Sequence, residues 1–342
     1  MLDTLKVYTP DFTIKDRARV SVQPGLVDYE TGEQKEVSLF KDGAGRDVYG
    51  SKAFVNTSQY NLTIQPMGAG VQLFLQTSLP KVVKDDNYGA LTNSETRQAV
   101  QEIGRDLKSR GIGLNLDSCG LSRVDLFKNI IGDNSFLSYS PLFSLLQSKR
   151  QHKRDYGTTF TWSNTQREIC AYDKLTEMKA RGLNPVGYPV NTIRFEYRLK
   201  NSRVCERELK VSTVKDLVNN LDDLPSKYRG ALSKSIFALK VDEVNILASQ
   251  ELQAWMQTYS NLYGETWLSH FLKGYGSYQL AELAGDEVVK IVLACVIEDR
   301  VKLWRAIKSF DESKRNFEMA SGVDGGKTLA DLYGELKQKV MG

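Results

Sequence analysis

The stretch Thr192–Lys200, TIRFEYRLK, alternates apolar and charged side chains along its length. A period of two predicts a β-strand with one buried face, because successive side chains of a strand point to opposite sides of the sheet. The apolar side consists of Ile193, Phe195, Tyr197 and Leu199, and the charged side of Arg194, Glu196, Arg198 and Lys200. Three cations around one carboxylate suit a phosphodiester backbone and a bridging metal ion, although a surface strand with cross-strand ion pairs is the simpler alternative.

Two other segments place chemically reactive side chains in a similar setting. If Leu121–Asn129 is extended, one of its faces presents Arg123, Asp125, Phe127 and Asn129. In Ile169–Lys174, Tyr172 and Lys174 share a face. Taken singly, a strand tyrosine is far more often a packing residue, and an Arg-Val-Asp triplet usually means an ion pair. The combination of the three segments, and their order in the chain, is what points to a site.

The first two hundred residues read mainly as strands, separated by glycine and asparagine. Period-two alternation recurs around Leu5 and Val7, around Leu73 and Leu75, and from Thr158 to Ser163. One helix is predicted over Thr92–Arg110, with Asn93 and Ser94 as candidate caps, and a shorter one over Lys174–Arg181.

Helical spacing dominates after about Arg203. The clearest example is Asp286–Phe310, whose apolar residues form one stripe and predict a single long helix. The sequence therefore predicts an α+β protein with two domains. Residues 1–203 form an antiparallel sheet with flanking helices, and residues 204–342 form a mostly α-helical domain.

The composition of the chain limits the kinds of protein that it can be. The chain has 342 residues and a formal net charge of +4, which is compatible with a phosphate-bearing partner. Its four cysteines form no C-x-x-C pair, and its most apolar stretch, Ile291–Ile297, is far shorter than the ~20 residues of a membrane span. We therefore expect a soluble protein of a reducing cytoplasm, without a membrane partner. Since the chain has only two histidines, a metal site would rest on oxygen ligands, which favours Mg²⁺ or Mn²⁺.

Several segments, taken in order, resemble the replication endonucleases of filamentous phages, the gene II protein type, and related phage and plasmid initiators. The likeness is strongest in three places: Ser122–Asp125, the pair Thr159–Asn164 and Ala171–Lys174, and Ile193–Lys200. It also includes Met1–Val7 and Ser78–Val83, with Asn87 and Gly89 just beyond, and thus spans about the first two hundred residues. The C-terminal third shows no such resemblance.

The resemblance implies a rolling-circle replication initiator with a relaxase-like sheet, acting in the cytoplasm of a bacterial host. Tyr172 occupies the position of the nucleophile, which attacks origin DNA, forms a 5′-phosphotyrosine and later reseals the strand. Asp125 and Glu196 look like the metal-binding carboxylates, and Lys174 falls where the family keeps a lysine. Asn129 stands where related initiators often have an acid, which makes it a further candidate ligand. Because a phenol has a reference pKa of about 10, we expect Lys174 or the metal ion to activate Tyr172.

The DNA backbone would be held by basic side chains. From the strands we expect Arg123, Arg194, Arg198 and Lys200 to contact a locally single-stranded target. The basic run 149–154 adds Lys149, Arg150, Lys153 and Arg154, as either a disordered phosphate-contacting loop or a solvated one. The helical domain could hold duplex origin DNA, contact a host helicase, or pair with a second copy, while a host polymerase would extend the freed 3′ end.

Two other functions compete with this interpretation. One is a DNA-binding protein, such as a repressor or non-nicking initiator, that keeps the fold without catalysis. The other is a nucleotide hydrolase, suggested by Gly325–Thr328, GGKT. The phosphate-loop pattern needs a further glycine where this chain has Ser321, so the tract reads better as a loop before a last helix at Leu329–Val340.

Overall fold

The structure is a computed structural model that describes residues 1–24, 26–27, 34–68, 70–84, 86–273, 284–321 and 327–342. Within these residues the strands are β1 Leu2–Thr9, β2 Thr13–Ile14, β3 Ser21–Gln23, β4 Leu26–Val27, β5 Gln34–Lys35, β6 Val37–Lys41, β7 Asp47–Gly50, β8 Lys52–Asn56, β9 Tyr60–Met67, β10 Gly70–Ser78, β11 Ile112–Gly113, β12 Gly120–Ile131, β13 His152–Asp155, β14 Thr159–Ser163, β15 Arg167–Asp173 and β16 Thr192–Leu199.

Ten of these strands form one antiparallel sheet in the order β13-β14-β15-β16-β12-β1-β10-β9-β8-β3. The long strand β12 lies near its centre, between β1 and β16. Consequently, strands that are far apart along the chain become neighbours in space. This confirms the predicted antiparallel sheet and the α+β class.

The helices flank the sheet and make up most of the C-terminal region. They are α1 Leu79–Lys84, α2 Asn93–Ser109, α3 Phe136–Leu145, α4 Lys174–Ala180, α5 Ser202–Leu209, α6 Val214–Asn219, α7 Leu224–Ser233, α8 Val241–Tyr263, α9 Trp267–Lys273, α10 Asp286–Val296, α11 Arg300–Ser321 and α12 Leu329–Met341. Helices α5, α7 and α12 all contact β12. Among the described residues, no helix combines the length and the apolar character that crossing a membrane requires.

The apolar side of β16 faces the main core, as its alternation predicts. Phe195 is fully buried, and its ring lies 6.0 Å from that of Phe143 in α3 and 5.6 Å from that of Phe237. Tyr197, on the same face, is only 2% exposed, which confirms that it faces the core. The opposite face of β16 is therefore the one available for a polar site.

Two helix predictions need correction. Helix α2 is capped by Thr92, not by Asn93 or Ser94, because Thr92 and Glu95 form a reciprocal capping box. The predicted helix Asp286–Phe310 is broken at residues 297–299 into α10 and α11, where Asp299 accepts hydrogen bonds from the backbone N–H groups of Val301 and Lys302. Such a local acceptor stabilises a new helix start, so apolar periodicity alone could not reveal the break.

Part of the basic run 149–154 is ordered as an edge strand, in place of the expected loop. His152–Asp155 forms β13, which pairs with β14. In contrast, the prediction of a last helix is confirmed, since α12 begins at Leu329 behind the capping residue Thr328. In the GGKT tract, Gly325 and Gly326 lie outside the described residues, and Lys327 pairs with Asp133 and Glu335.

Candidate active site

Three adjacent central strands bring the sequence-predicted tyrosine and acids to one polar cavity. Tyr172 comes from β15, Glu196 from β16 and Asp125 from β12. All three line a cavity of about 460 Å³ together with Arg123 and Arg198. The strand register explains why they meet. Asp125 lies opposite Arg198 and Tyr172 lies opposite Arg194, and both arginines are on the same face of β16 as Glu196.

The hydroxyl of Tyr172 donates a short hydrogen bond to Oε1 of Glu196. Tyr172 is only 6% exposed, so its hydroxyl lies in the wall of the cavity and not on an open surface. Burial raises the pKa of Tyr172 well above its usual range, and the negative charge of Glu196 raises it further, while Arg194 opposes both effects. The phenol therefore keeps its proton at neutral pH and has a carboxylate in place to accept it.

Glu196 is the charged partner in this hydrogen bond. Burial works against its negative charge, but Arg198, the Tyr172 hydroxyl and Arg194 together hold its pKa below the usual range. Arg198 donates from Nε and Nη2 to Glu196 Oε2 at 2.8 and 2.5 Å, and Nη1 of Arg194 lies 3.9 Å from Oε1. Glu196 is thus ionised at neutral pH, as a proton acceptor or a metal ligand must be.

Asp125 is bound by a single arginine. Arg123 donates from Nε and Nη2 to its two carboxylate oxygens at 2.7–3.1 Å. Burial raises the pKa of Asp125 to about 6, although the hydrogen bonds and charge of Arg123 oppose the shift. This carboxylate therefore loses its proton only near neutral pH, which makes it sensitive to any cation that enters the cavity.

Asp3 is a third acid in the cavity to which the sequence analysis gave no role. It is 5% exposed and lines the cavity, where it accepts a hydrogen bond of 3.0 Å from Ser78 Oγ. The pairing of β1 with β12 shifts register between Leu2 and Leu5, so Asp3 and Thr4 lie at an irregularity of the ladder. Burial and the negative charge of Glu196 both raise the pKa of Asp3. The signal by which it could have been found is its place as the one acid of β1, inside the segment Met1–Val7 that carries the resemblance.

Lys174 begins α4 and does not continue the strand of Tyr172. Its side chain is fully buried and donates to Asn87 Oδ1 at 2.9 Å and to Glu177 Oε2 at 2.7 Å. Burial lowers its pKa, and the charge of Arg194 adds to this effect. Lys174 does not line the cavity around Tyr172, and the positive charge of Arg194 lowers the pKa of the phenol.

Arg194 is completely buried, unlike the DNA-facing position that the sequence predicts for it. Its guanidinium stacks 4.0 Å from the centre of the Phe127 ring and donates to the backbone oxygens of Asn87 and Tyr88 and to Asn129 Oδ1. The amide nitrogen of Asn129 also donates to Tyr88 O at 2.5 Å. Asn129 thus joins Arg194 to the 87–88 segment and does not line the cavity around Tyr172, so its role as a metal ligand stays a prediction.

Arg123, Arg198 and Lys200 remain partly exposed, with side-chain exposures of 32%, 26% and 31%. Glu168 joins two of them, because it accepts from Arg198 Nη1 at 2.7 Å and from Lys200 Nζ at 2.9 Å. The charges of Lys200 and Arg198 keep the pKa of Glu168 near 2 despite burial. Arg123 and Arg198 line the cavity around Tyr172, and Lys200 is joined to Arg198 through Glu168.

The four basic residues of the run 149–154 lie elsewhere. Lys149 and Arg150 line a second cavity on the core-facing side of the sheet. Lys153 and Arg154 are in the edge strand β13, where Lys153 donates to the backbone oxygen of Ser144 and Arg154 is exposed beside Tyr156. None of the four lines the cavity around Tyr172.

The donor set around Tyr172 suits a hard cation of the Mg²⁺ type, because it consists of carboxylate oxygens. Asp3, Asp125 and Glu196 line one cavity, yet among the described residues no group of three or more acids, histidines or cysteines is close enough to form a complete metal cage. Mg²⁺ is commonly held by one or two carboxylates together with water and substrate phosphate. The residues therefore fit a cation whose remaining ligands are water and DNA phosphate oxygens. Arg123 and Arg198 would have to release the carboxylates of Asp125 and Glu196 first.

Comparison with known proteins identifies the family of this chain. No curated protein matches the chain. A sequence model of one family, the N-terminal part of the replication-associated gene II protein of filamentous phages, matches residues 12–220. The match contains Asp125, Tyr172 and Glu196, together with all the strands that bear them. Since it spans more than half of the 342 residues, the protein belongs to the gene II family of filamentous phage replication proteins.

Proposed function

We propose that this replication protein initiates rolling-circle replication by cutting one strand of its origin DNA with Tyr172. The observation that carries the proposal is the hydrogen bond from the Tyr172 hydroxyl to the ionised Glu196 inside a polar cavity. A phenol is a poor nucleophile while it holds its proton, and an adjacent base removes that obstacle. The family membership supplies the biological setting, which is replication from an origin.

The proposed reaction is a transesterification. Tyr172 Oη attacks the phosphorus atom of a phosphodiester in line with the leaving 3′ oxygen, while its proton passes to Glu196 Oε1. The new bond joins the phenol oxygen to the 5′-phosphate, and the broken bond frees the 3′ oxygen, which takes a proton from water. Because the attack is reversible, a 3′-hydroxyl that attacks the phosphotyrosine reseals the strand and returns the proton to Tyr172.

The arginines have two successive partners in this scheme. In the free protein, Arg123 neutralises Asp125, and Arg198 neutralises Glu196. A DNA phosphate in the cavity would compete for the same guanidinium groups, which bind phosphate in two-pronged geometry as they bind carboxylate. The released carboxylates could then hold a divalent cation, which is why DNA and metal ion should bind cooperatively.

Asp125 and Glu196, with Asp3 beside them, are the residues that would hold Mg²⁺ or Mn²⁺. When bound, such an ion would offset the negative charge that builds on the non-bridging phosphate oxygens. Arg194 contributes a permanent positive charge near the phenol and keeps the 87–88 segment in place. Arg123, Arg198 and Lys200 would orient the strand across the mouth of the cavity.

The test is to incubate the protein with a supercoiled plasmid that carries its replicon, in the presence of Mg²⁺, and to look for protein joined to DNA 5′ ends. We expect relaxed circles and a covalent adduct from the wild type, and neither from Tyr172→Phe, with DNA binding retained. Tyr188→Phe is the matched control, because the Tyr188 hydroxyl donates to Asp86 and lies outside the cavity. Normal cleavage by Tyr172→Phe refutes the nucleophile.

The second candidate function is DNA binding without cleavage. The low exposure of Tyr172 and the arginine partners of both acids favour it, since each must change before DNA can react. Origin binding by the wild type with no adduct under any divalent cation would establish this alternative. Contacts with a host helicase, a host polymerase or a second copy of the chain stay predictions.

A further inference from the structure

A second cavity, of about 750 Å³, lies on the opposite face of the sheet from Tyr172. Ile169 and Tyr197, which lie opposite each other on β15 and β16, form part of its wall. They are adjacent along their strands to Cys170 and Glu196, and neighbouring side chains of a strand point to opposite faces. Ile169 and Tyr197 therefore point away from the face that carries Glu196. Arg167, also in this wall, precedes Tyr172 by five residues, or about 17 Å along the strand. The second cavity is therefore separate from the candidate active site.

The second cavity is strongly basic. Its described lining contains seven lysine and arginine side chains and a single acid, Glu208. Glu208 pairs with Arg207 at 3.1 Å and with Arg167 at 3.5 Å. The other five cations form no ion pair with any described residue; they are Lys149, Arg150, Lys210, Lys227 and Lys234. A concave surface with so many uncompensated charges attracts a polyanion.

An unsatisfied hydroxyl lies in the same wall. Tyr197 is 2% exposed, and its Oη forms no well-aligned hydrogen bond within the described part of the chain, although the Arg167 guanidinium lies beside it. A buried polar atom without a partner is destabilising and is therefore uncommon in native proteins. A phenol hydroxyl can donate a hydrogen bond to an anionic oxygen. The neighbouring guanidinium groups of Arg167 and Arg207 would bind the same anion.

We propose that the second cavity binds the phosphodiester backbone of DNA that flanks the nick site. Although this site rests on the DNA binding included in the proposed function, it does not depend on the chemistry of Tyr172. Lys227 lies in α7, and Lys234 is the residue that follows the helix. Seven residues make about two helical turns, so the two lysines occupy the same side of α7. With Lys149 and Arg150 from the segment before β13, they line the walls of a groove for a chain of phosphates.

The experiment compares two variants that lose the same charge. In one, Lys210, Lys227 and Lys234 are changed to Gln, and in the control Lys41, Arg105 and Lys108 are changed to Gln, which are exposed and outside the cavity. Both carry Tyr172→Phe, so that binding is measured without cleavage. The probes are a short fluorescent duplex of arbitrary sequence and a single strand of equal length, titrated at several salt concentrations.

We expect the cavity variant to bind at least one probe with an affinity at least about tenfold lower. The slope of log affinity against log salt concentration should become less negative by about 2 to 3, because three cations are lost. Loss on the duplex alone identifies flanking duplex as the occupant, and loss on the single strand alone identifies the displaced strand. Affinities and salt dependences equal to those of the parent, or losses equal to those of the control, overturn the proposal. Absence of cleavage by the wild type would sink the nicking proposal and leave this result untouched.

Tyr197→Phe provides a second measurement that does not alter charge. Because the Tyr197 hydroxyl forms no well-aligned hydrogen bond with any described residue, its loss should leave the melting temperature unchanged while weakening DNA binding about tenfold. Tyr228→Phe is the control, since the buried Tyr228 hydroxyl donates to Phe195 O at 3.0 Å. That variant should melt at a lower temperature and bind DNA normally. Unchanged binding by Tyr197→Phe would remove the tyrosine from the site.

Discussion

The Tyr172 hydroxyl and the Glu196 carboxylate form a hydrogen bond across adjacent strands, although 24 residues separate them in the chain. Each changes the other: the negative charge of Glu196 raises the pKa of Tyr172, and the hydroxyl lowers that of Glu196. The pair therefore holds one proton on the phenol and one charge on the acid. This arrangement suits removal of the proton during attack, and it does not suit a phenolate formed in advance.

Replacing Glu196 by Gln tests that role. The change removes the negative charge that raises the pKa of Tyr172, so a mechanism through a pre-formed phenolate would become faster. With Glu196 as the base, we expect cleavage to slow by about 10²–10⁴-fold, as measured by single-turnover adduct formation. Glu168→Gln is the matched control, because Glu168 shares Arg198 with Glu196 but does not contact the phenol. Cleavage at the wild-type rate in Glu196→Gln would exclude the base.

Replacing Asp3 by Asn tests whether the third acid supports a divalent cation. We expect the Mg²⁺ concentration for half-maximal cleavage to rise about tenfold or more, because the change removes a negative charge next to the proposed ligands. Asp125→Ala should raise the Mg²⁺ requirement further or abolish cleavage. Asp11→Asn, an exposed change beyond the end of β1, is the control. An unchanged Mg²⁺ dependence in Asp3→Asn contradicts the role.

The raised pKa of Asp125 predicts a specific pH dependence of stability. The pKa of Asp125 is about 6 in the folded protein, against an ordinary value of 3.8, so the folded state binds this proton more tightly than the unfolded state. The resulting stabilisation of the folded state is complete below about pH 4 and is lost as the pH rises through 6. Asp125→Asn cannot titrate. The free energy of unfolding of the wild type, relative to the variant, should fall by roughly 3 kcal/mol between these limits in denaturant titrations. A constant difference would mean that Asp125 has an ordinary pKa.

Arg194→Lys distinguishes a structural arginine from a DNA contact. The guanidinium reaches two backbone oxygens and Asn129 at once, which an ammonium group cannot reproduce. We expect the free energy of unfolding to fall by about 3 kcal/mol in a denaturant titration. Arg203→Lys, an exposed change at the start of α5, should have no measurable effect. Weaker DNA binding with full stability would instead support the DNA-facing role that the sequence predicts.

Within each strand, local sequence was a sound guide. Alternation correctly placed Phe195 and Tyr197 towards the core, and Glu196 and Arg198 on the other face. It succeeded because a strand has a fixed period of two, whatever surrounds it. The same reasoning missed how deep each side chain lies, since a charged face can be open to solvent or covered. Arg194 and Lys174 are both fully buried, and each has a hydrogen-bond partner in the 87–88 segment, about a hundred residues earlier.

The amino-acid sequence by itself determined the faces of the strands and the helix starts at Lys174, Asp286 and Leu329, because alternation and helical spacing are local properties. Through its resemblance to a family, it also singled out a tyrosine and two acids as candidates. Only the tertiary structure decided that β1 lies beside β12, which brings Asp3 into the site, and that α5, α7 and the segment before β13 enclose a basic cavity behind the sheet. Strand order depends on contacts between distant parts of the chain, which leave no periodic trace in any one segment.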